Sequence, residues 1–246
     1  MITVSLVSHG HGPMVTQLVR QLLICPEIAQ IILTRNIPDA TPLVQHEKLT
    51  VIDNHIPAGF GANHNAAFDR CRTLYFCVIN PDIELVDNPF PALLACLAQK
   101  DVALAAPLVL APGGSVEDSI RRFPTPFSLL AKTLGNSDGR YDVTLGQEPF
   151  CPEWVGGMCM LFRSESFGQV GRFDTCFFLY YEDVDICARL WKSGVRIVAC
   201  PSASVIHAAQ RESHRNWRFL RWHLISMLRY FYKHTGRLPG PPRCSA

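Results

Sequence analysis

None of the ten cysteines in this 246-residue chain forms a Cys-x-x-Cys pair, and most lie in apolar segments, where cysteine behaves as a small hydrophobe. That argues against a zinc site or a disulfide framework and points to reduced thiols in a cytosolic protein. Charge in excess is missing as well: 23 Lys and Arg stand against 21 Asp and Glu, so the molecule as a whole has no field to recruit nucleic acid. Long hydrophobic runs are also absent. The longest apolar stretch, Val102 to Ala111, contains Pro107 and falls well short of the roughly 18 residues of a membrane span. The first eight residues carry no basic segment or cleavage site before a turn, as expected of a first strand rather than a signal peptide. No internal repeat or low-complexity tract occurs.

What is present is enough apolar material, 48 % of residues, to fill the core of one large α/β domain. Thr3 to Ser8 reads as a strand, followed by a helix with Val15, Leu18, Val19, Leu22 and Leu23 on one face. Gln30 to Thr34, Leu49 to Ile52 and the apolar run Leu74 to Ile79 continue a mainly parallel sheet flanked by helices. In such sheets ligands bind beyond the carboxyl ends of the strands, which puts Ser8, His9, Arg35, Asn36, Asp53 and Asn54 on the rim, with Asn80 and Asp82 after the fourth strand. Gly59-Phe60-Gly61-Ala62-Asn63 opens a helix whose N-terminus suits a phosphate, although two glycines there are more often a tight connection. Val195 to Cys200 and Ala203 to Ile206 read as two strands, the second ending at His207.

The densest chemistry lies between Glu153 and Asp185. Gly156-Gly157 is a bend where backbone can approach a ligand closely, and Glu182-Asp183-Val184-Asp185 opens a helix after a run of aromatics. Asp183 as an ordinary N-cap is the competing reading of that stretch.

The order of these motifs resembles the bacterial glycosyltransferase family 2 enzymes, especially the polysaccharide rhamnosyltransferases. The likeness spans nearly the whole chain and rests on Gly59 to Asn65, Asn80-Pro81-Asp82, Arg122-Phe123-Pro124, Trp154 to Arg163, Gly171 to Asp174, Tyr181 to Asp185 and Val205-Ile206-His207. The resemblance implies a GT-A fold, with residues 1–107 holding a nucleotide-diphosphate sugar and 108–210 holding the acceptor and the catalytic groups. It implies Asp183 as catalytic base and Asp82 and His207 as ligands of Mn²⁺ or Mg²⁺. On the donor side it implies Ser8, Asn36, Asp53, Asn63 and Asn80; on the acceptor side, Trp154, Gly156, Gly157 and Glu182. The reaction expected is an inverting, metal-dependent transfer, with rhamnose a candidate sugar, onto a glycan or polyprenyl-linked acceptor in surface polysaccharide synthesis. Thr34-Arg35-Asn36, where many members carry Asp-Asn, and Pro57 ahead of the glycine segment depart from the family pattern.

Two other functions compete. A degenerate nucleotide-binding scaffold fits those departures, and a sugar-nucleotide nucleotidyltransferase shares the layout but calls for a phosphate loop that His9-Gly10-His11-Gly12-Pro13 replaces poorly. Residues 211–246 form a helix, Asn216 to Thr235, with a Pro-rich tail. Its Arg218, Arg221, Arg229 and Lys233 make a basic stripe suited to an anionic membrane surface, while Trp217, Leu220, Trp222, Leu224, Leu228, Phe231 and Tyr232 are expected to be largely buried. Those features suggest a cytoplasmic protein that sits peripherally on the inner membrane.

Overall fold

The computed structural model describes residues 1–128, 139–208 and 217–239. Helical spacing in the sequence over 127–134 and the polar, glycine-containing connection over 135–149 fall in large part outside the described residues, which omit 129–138. The elements run β1 (Ile2–Ser8), α1 (Pro13–Leu23), β2 (Ile28–Arg35), β3 (Leu49–Asp53), α2 (Phe60–Phe68), β4 (Tyr75–Ile79), β5 (Ile83–Glu84), α3 (Phe90–Leu97) and β6 (Val102–Leu110). They continue through β7 (Ile120–Arg121), β8 (Trp154–Val155), β9 (Cys159–Arg163), α4 (Ser164–Gln169), α5 (Glu182–Lys192), β10 (Arg196–His207) and α6 (Trp217–His234).

Eight strands form one sheet in the order β3-β2-β1-β4-β9-β6-β10-β5. β1 pairs in parallel with β2 and β4, β2 with β3, and β6 with β10, whereas β9 is antiparallel to both of its neighbours. Because β9 reverses direction twice over, β6 and β10 point the same way as β1 to β4. Six strands therefore release their carboxyl ends along one edge, where Ser8, Asn36, Asp53, Asn80 and His207 all lie. One apolar cluster packs α1 and α3 on one face of the sheet, and a second, rich in phenylalanine, packs α2, α4 and α5 on the other. Residue 107 sits inside β6, so the sheet runs through both halves of the chain.

The apolar stretch 102–110 is a single strand despite Pro107, which has no N–H to give the ladder. Pro107 faces Cys200, and the β6–β10 register shifts between Cys200 and Ser204. The two expected strands 195–200 and 203–206 are thus one bent strand, β10. Among the described residues eight cysteines are free, but Cys151 is disulfide-bonded, which corrects the expectation of reduced thiols throughout.

The terminal helix forms where expected, but most of the large apolar residues expected to be buried face solvent, while Trp222 and Phe231 are half-buried and Arg218 and Arg221 stay exposed. Ser226, Tyr230 and His234 are its buried residues, and Trp217, Leu220, Leu224, Leu228 and Tyr232 face outward. Arg229 and Lys233 turn inward, where Arg229 donates to the Cys176 carbonyl and Lys233 pairs with Asp174 at 2.6 Å and Asp185 at 2.7 Å. Polar partners set this orientation. Asp185, fully buried in α5, also accepts from Arg189 of its own helix at 2.8 Å and from His234 at 2.8 Å, and turning α6 over would take away Lys233 and His234 and leave that carboxylate with Arg189 alone.

Burial works against ionisation of Asp185, but His234, Arg189 and Lys233 outweigh it and hold its pKa down at about 2. A depressed carboxyl stabilises the fold above its unfolded value, and that contribution disappears as pH falls from about 4 to about 2. The gap corresponds to roughly 2 to 3 kcal/mol. Asp185→Asn should lower the unfolding free energy measured by urea titration at pH 7 by at least that amount, and the difference from wild type should shrink toward pH 2.

Candidate active site

The aromatic run ahead of α5 does not end in an aspartate cap. Tyr180 and Tyr181 both occupy the left-handed region, at φ 69° and 67°, and Tyr181 is the N-cap residue. Such backbone costs a bulky residue on the order of 1–3 kcal/mol and persists only where its surroundings impose it. Here α6 imposes it. His223 sets its ring edge-on to both tyrosines at 5.4 Å, Tyr230 lies 5.3 Å from Tyr181, and Ser226 donates to the Leu179 carbonyl at 2.8 Å. From the other side Phe60 N–H donates to the Phe178 carbonyl at 2.9 Å. The glycines of the α2 entry serve this approach: a Cβ on Gly59 would stand 2.7 Å from the Phe178 oxygen, and one on Gly61 2.7 Å from Phe173.

The turn delivers Asp183 into the first turn of α5. Its Oδ2 accepts the Gly157 N–H at 3.0 Å and its Oδ1 the Val184 N–H at 2.8 Å, and the residue stays partly exposed. Burial raises its pKa, tempered by those two N–H groups and by Arg121. A carboxylate with two acceptor positions taken keeps others for an incoming hydroxyl. Glu182 differs. It is buried, its Oε2 has no hydrogen-bond partner among the described residues, and burial together with Asp183 and Asp185 pushes its pKa well up.

Asp82 and His207 meet across the short β5–β10 ladder, in which His207 faces Ile83 and Ala208 N–H donates to the Asp82 carbonyl. Asp82 Oδ2 lies 3.2 Å from His207 Nε2, and His207 Nδ1 lies 2.7 Å from Glu117 Oε2. Burial lowers the His207 pKa, but the two carboxylates prevail and raise it. Among the described residues no group of three or more His, Cys, Asp and Glu side chains is arranged to hold a metal. Asp82 Oδ1, however, is buried without a hydrogen-bond partner, which suits a hard cation that needs only one or two protein oxygens beside a substrate diphosphate.

One segment ties the two centres together. Glu117 leads through Ser119, whose carbonyl accepts the Gly156 N–H at 2.7 Å, to Arg121 in β7, which pairs with Trp154 in β8. The Arg121 guanidinium lies 5.9 Å over the Trp154 ring and its charge acts on Asp183. Four peptide steps from 117 to 121 reach at most about 14 Å, the scale of a cleft for a sugar. Asn80 N–H also donates to the Met158 carbonyl, beside Gly157. A short chain of contacts thus links Asp82 and His207 to Asp183.

On the donor side the side chains are already engaged. Asn36 Oδ1 accepts from Asn54 and from Ala58 N–H, Asn54 also donates to Asn63 Oδ1 at 2.7 Å, and both Asn36 and Asn63 are buried. Asp53 is in a two-pronged pair with Arg35, and Ser8 Oγ accepts from the His11 N–H. Trp154 donates its indole N–H to the Arg122 carbonyl at 2.8 Å and is not fully buried. Glu117 and Arg121 were missed in the sequence. Each is one charged residue in a hairpin region without a period, and only the Gly113-Gly114 turn signalled that the chain doubles back there.

No family profile matches the chain. Its fold matches solved glycosyltransferases: GalNAc-T7 with UDP, GalNAc and Mn²⁺, at TM-score 0.69 and 15 % identity over 86 % of this chain and 44 % of that one, and a Pyrobaculum calidifontis mannosyltransferase with GDP-Man and Mn²⁺, at 0.62 and 14 % over 98 % and 65 %. In sequence it is 28 % identical to rhamnosyltransferase WbbL of Escherichia coli over 94 % of this chain and 92 % of that protein. The chain is a glycosyltransferase of the GT-A fold. A Mycobacterium tuberculosis relative, N-acetylglucosaminyl-diphospho-decaprenol L-rhamnosyltransferase, is 34 % identical over 68 % of this chain, which spans 58 % of that protein. Within this GT-A glycosyltransferase the glycine segment before α2 is a packing device, since the Phe60 N–H already has its acceptor. Gly59→Ala should force the Phe178 backbone away and cost about 1–3 kcal/mol, read as a lower melting temperature together with weakened activity.

Proposed function

We propose that the chain moves a sugar, L-rhamnose being the leading candidate, from a nucleoside-diphosphate donor to a glycan or polyprenyl-diphosphate-linked acceptor, with inversion at the anomeric carbon. The observation that carries the reading is Asp183: a raised-pKa carboxylate, partly exposed, oriented by two backbone N–H groups and linked through Gly157, Met158 and Asn80 to the segment that holds Asp82. The named activities of the sequence relatives support rhamnose and a lipid-linked acceptor.

In this mechanism residues 1–107 hold the donor, with Ser8, Asn36, Asp53, Asn63 and Asn80 shaping its site, the buried asparagines through the loop they brace. Residues 108–210 hold the acceptor against Trp154, Gly156, Gly157 and Glu182. Asp183 accepts the proton of the acceptor hydroxyl while that oxygen bonds to the anomeric carbon and the bond to the donor diphosphate breaks. Burial suits Asp183 to this task by making it a stronger base than an exposed aspartate. Asp82 and His207 would hold a divalent cation, Mn²⁺ as in the solved neighbours or Mg²⁺, which supplies positive charge for the departing diphosphate.

No helix among the described residues is long and apolar enough to cross a membrane. A lipid-linked acceptor would instead be met by the outer face of α6, where Trp217 is 75 % exposed, Leu228 65 % and Tyr232 93 %, in a helix that has Arg218 and Arg221 and no acidic residue. Such a face rests on an anionic lipid surface, apolar side chains inserted and arginines at the headgroups.

Two outcomes follow. Asp183→Asn should lower kcat by about 10²–10⁴-fold without weakening donor binding, and because the base must be ionised, the acidic limb of the wild-type pH profile should fall above the usual carboxylate range of about 4; unchanged turnover in the Asn variant refutes the base. Wild-type protein should co-sediment with vesicles containing anionic phospholipid, and Leu224→Asp with Leu228→Asp should weaken this more than about tenfold, each leucine contributing roughly 1–3 kcal/mol when buried.

A further inference from the structure

We infer that Glu117 is a positioning residue for the cation site, holding His207 in the one tautomer and ring orientation that leaves Nε2 beside Asp82. The inference rests on the glycosyltransferase reading above and extends it to a residue on a different element from either ligand. β6 runs past its end into a turn at 111–115, where Ala111 N–H donates to the Ser115 carbonyl and Gly114 adopts φ 81°, a conformation that glycine tolerates. The chain doubles back, and Glu117 N–H bonds the Val109 carbonyl at 2.8 Å. Val109 pairs with Val205 of β10 and Leu110 with Ile206, so the returning strand sets Glu117 beside His207.

The imidazole then has a carboxylate on each side: Glu117 Oε2 at 2.7 Å from Nδ1 and Asp82 Oδ2 at 3.2 Å from Nε2. The ring nitrogens point in divergent directions, so Glu117 and Asp82 cannot both bind a cation that His207 also binds. Glu117 stands behind the ring. As acceptor of the Nδ1 hydrogen it keeps Nε2 available on the Asp82 side, where Asp82 Oδ1 is buried with no partner. A carboxylate behind a ligating histidine fixes the ring and strengthens it as a donor, and loss of such a partner weakens metal binding by about 10–100-fold.

Mn²⁺ binding to the full chain, followed by electron paramagnetic resonance alone and with dTDP or UDP, tests this apart from turnover. Glu117→Gln can still accept the Nδ1 hydrogen but loses the charge, and Glu117→Ala loses both. The expected order of Mn²⁺ affinity is wild type, then Gln, then Ala, spanning about 10–100-fold with an unchanged melting temperature for Gln, while Asp82→Asn removes binding. Equal Mn²⁺ affinity in wild type, Gln and Ala, with binding lost in Asp82→Asn, overturns the role of Glu117 and leaves the cation site standing. Absence of Mn²⁺ binding in wild type under every nucleotide condition overturns the cation site and Glu117 with it.

Discussion

A left-handed pair of tyrosines does more than any other feature to arrange this molecule. Tyr180 and Tyr181 take a backbone that neither would choose alone, and the cost is borne by packing from two directions: the α2 entry at Gly59 and Phe60, and the inner face of α6 at His223, Ser226 and Tyr230. Released from either side, the turn would relax toward ordinary φ, and the first turn of α5 would move away from Gly157. Asp183, the glycine bend and the terminal helix are therefore parts of one mechanical unit.

That unit explains why α6 is amphipathic the other way round from a simple core helix. Its inward side carries Ser226, Arg229, Tyr230, Lys233 and His234 because the surface beneath offers carbonyls and the buried Asp185. Its leucines are left for the outside. One face of α6 thus braces the turn at Tyr180 and Tyr181, and the other leaves an apolar surface outward.

The sheet supplies the second half of the site. Six strands ending at one edge put Asp82 and His207 together although 125 positions separate them, and the Glu117 to Arg121 segment links that pair to Asp183. Burial then gives neighbouring acids different characters: Glu182 enclosed with its pKa pushed well up, Asp185 locked in ion pairs, and Asp183 partly exposed and held by two backbone N–H groups.

Alternating and continuous apolar runs were enough to read the β-α order, the mainly parallel sheet and the terminal helix, because burying apolar surface is a local demand repeated along each element. The acidic stretch was legible for the same reason: Asp183 stands at a helix start next to a glycine bend, and both signals are short-range. Orientation was not legible. Aromatic and aliphatic residues surround α6 on every side, so periodicity could not choose its buried face, and the choice fell to Asp185 and its cations from another helix. Glu117 had no signal of its own, since its role exists only once β6 folds back beside β10, and the rim asparagines looked open until the loop at Ala58 closed over them. The sequence by itself determined which segments become strands and helices and which residue types reach the carboxyl edge; only the tertiary structure decided which of those side chains are left unsatisfied, because hydrogen bonds and ion pairs between distant segments consume some polar groups and leave others free to act.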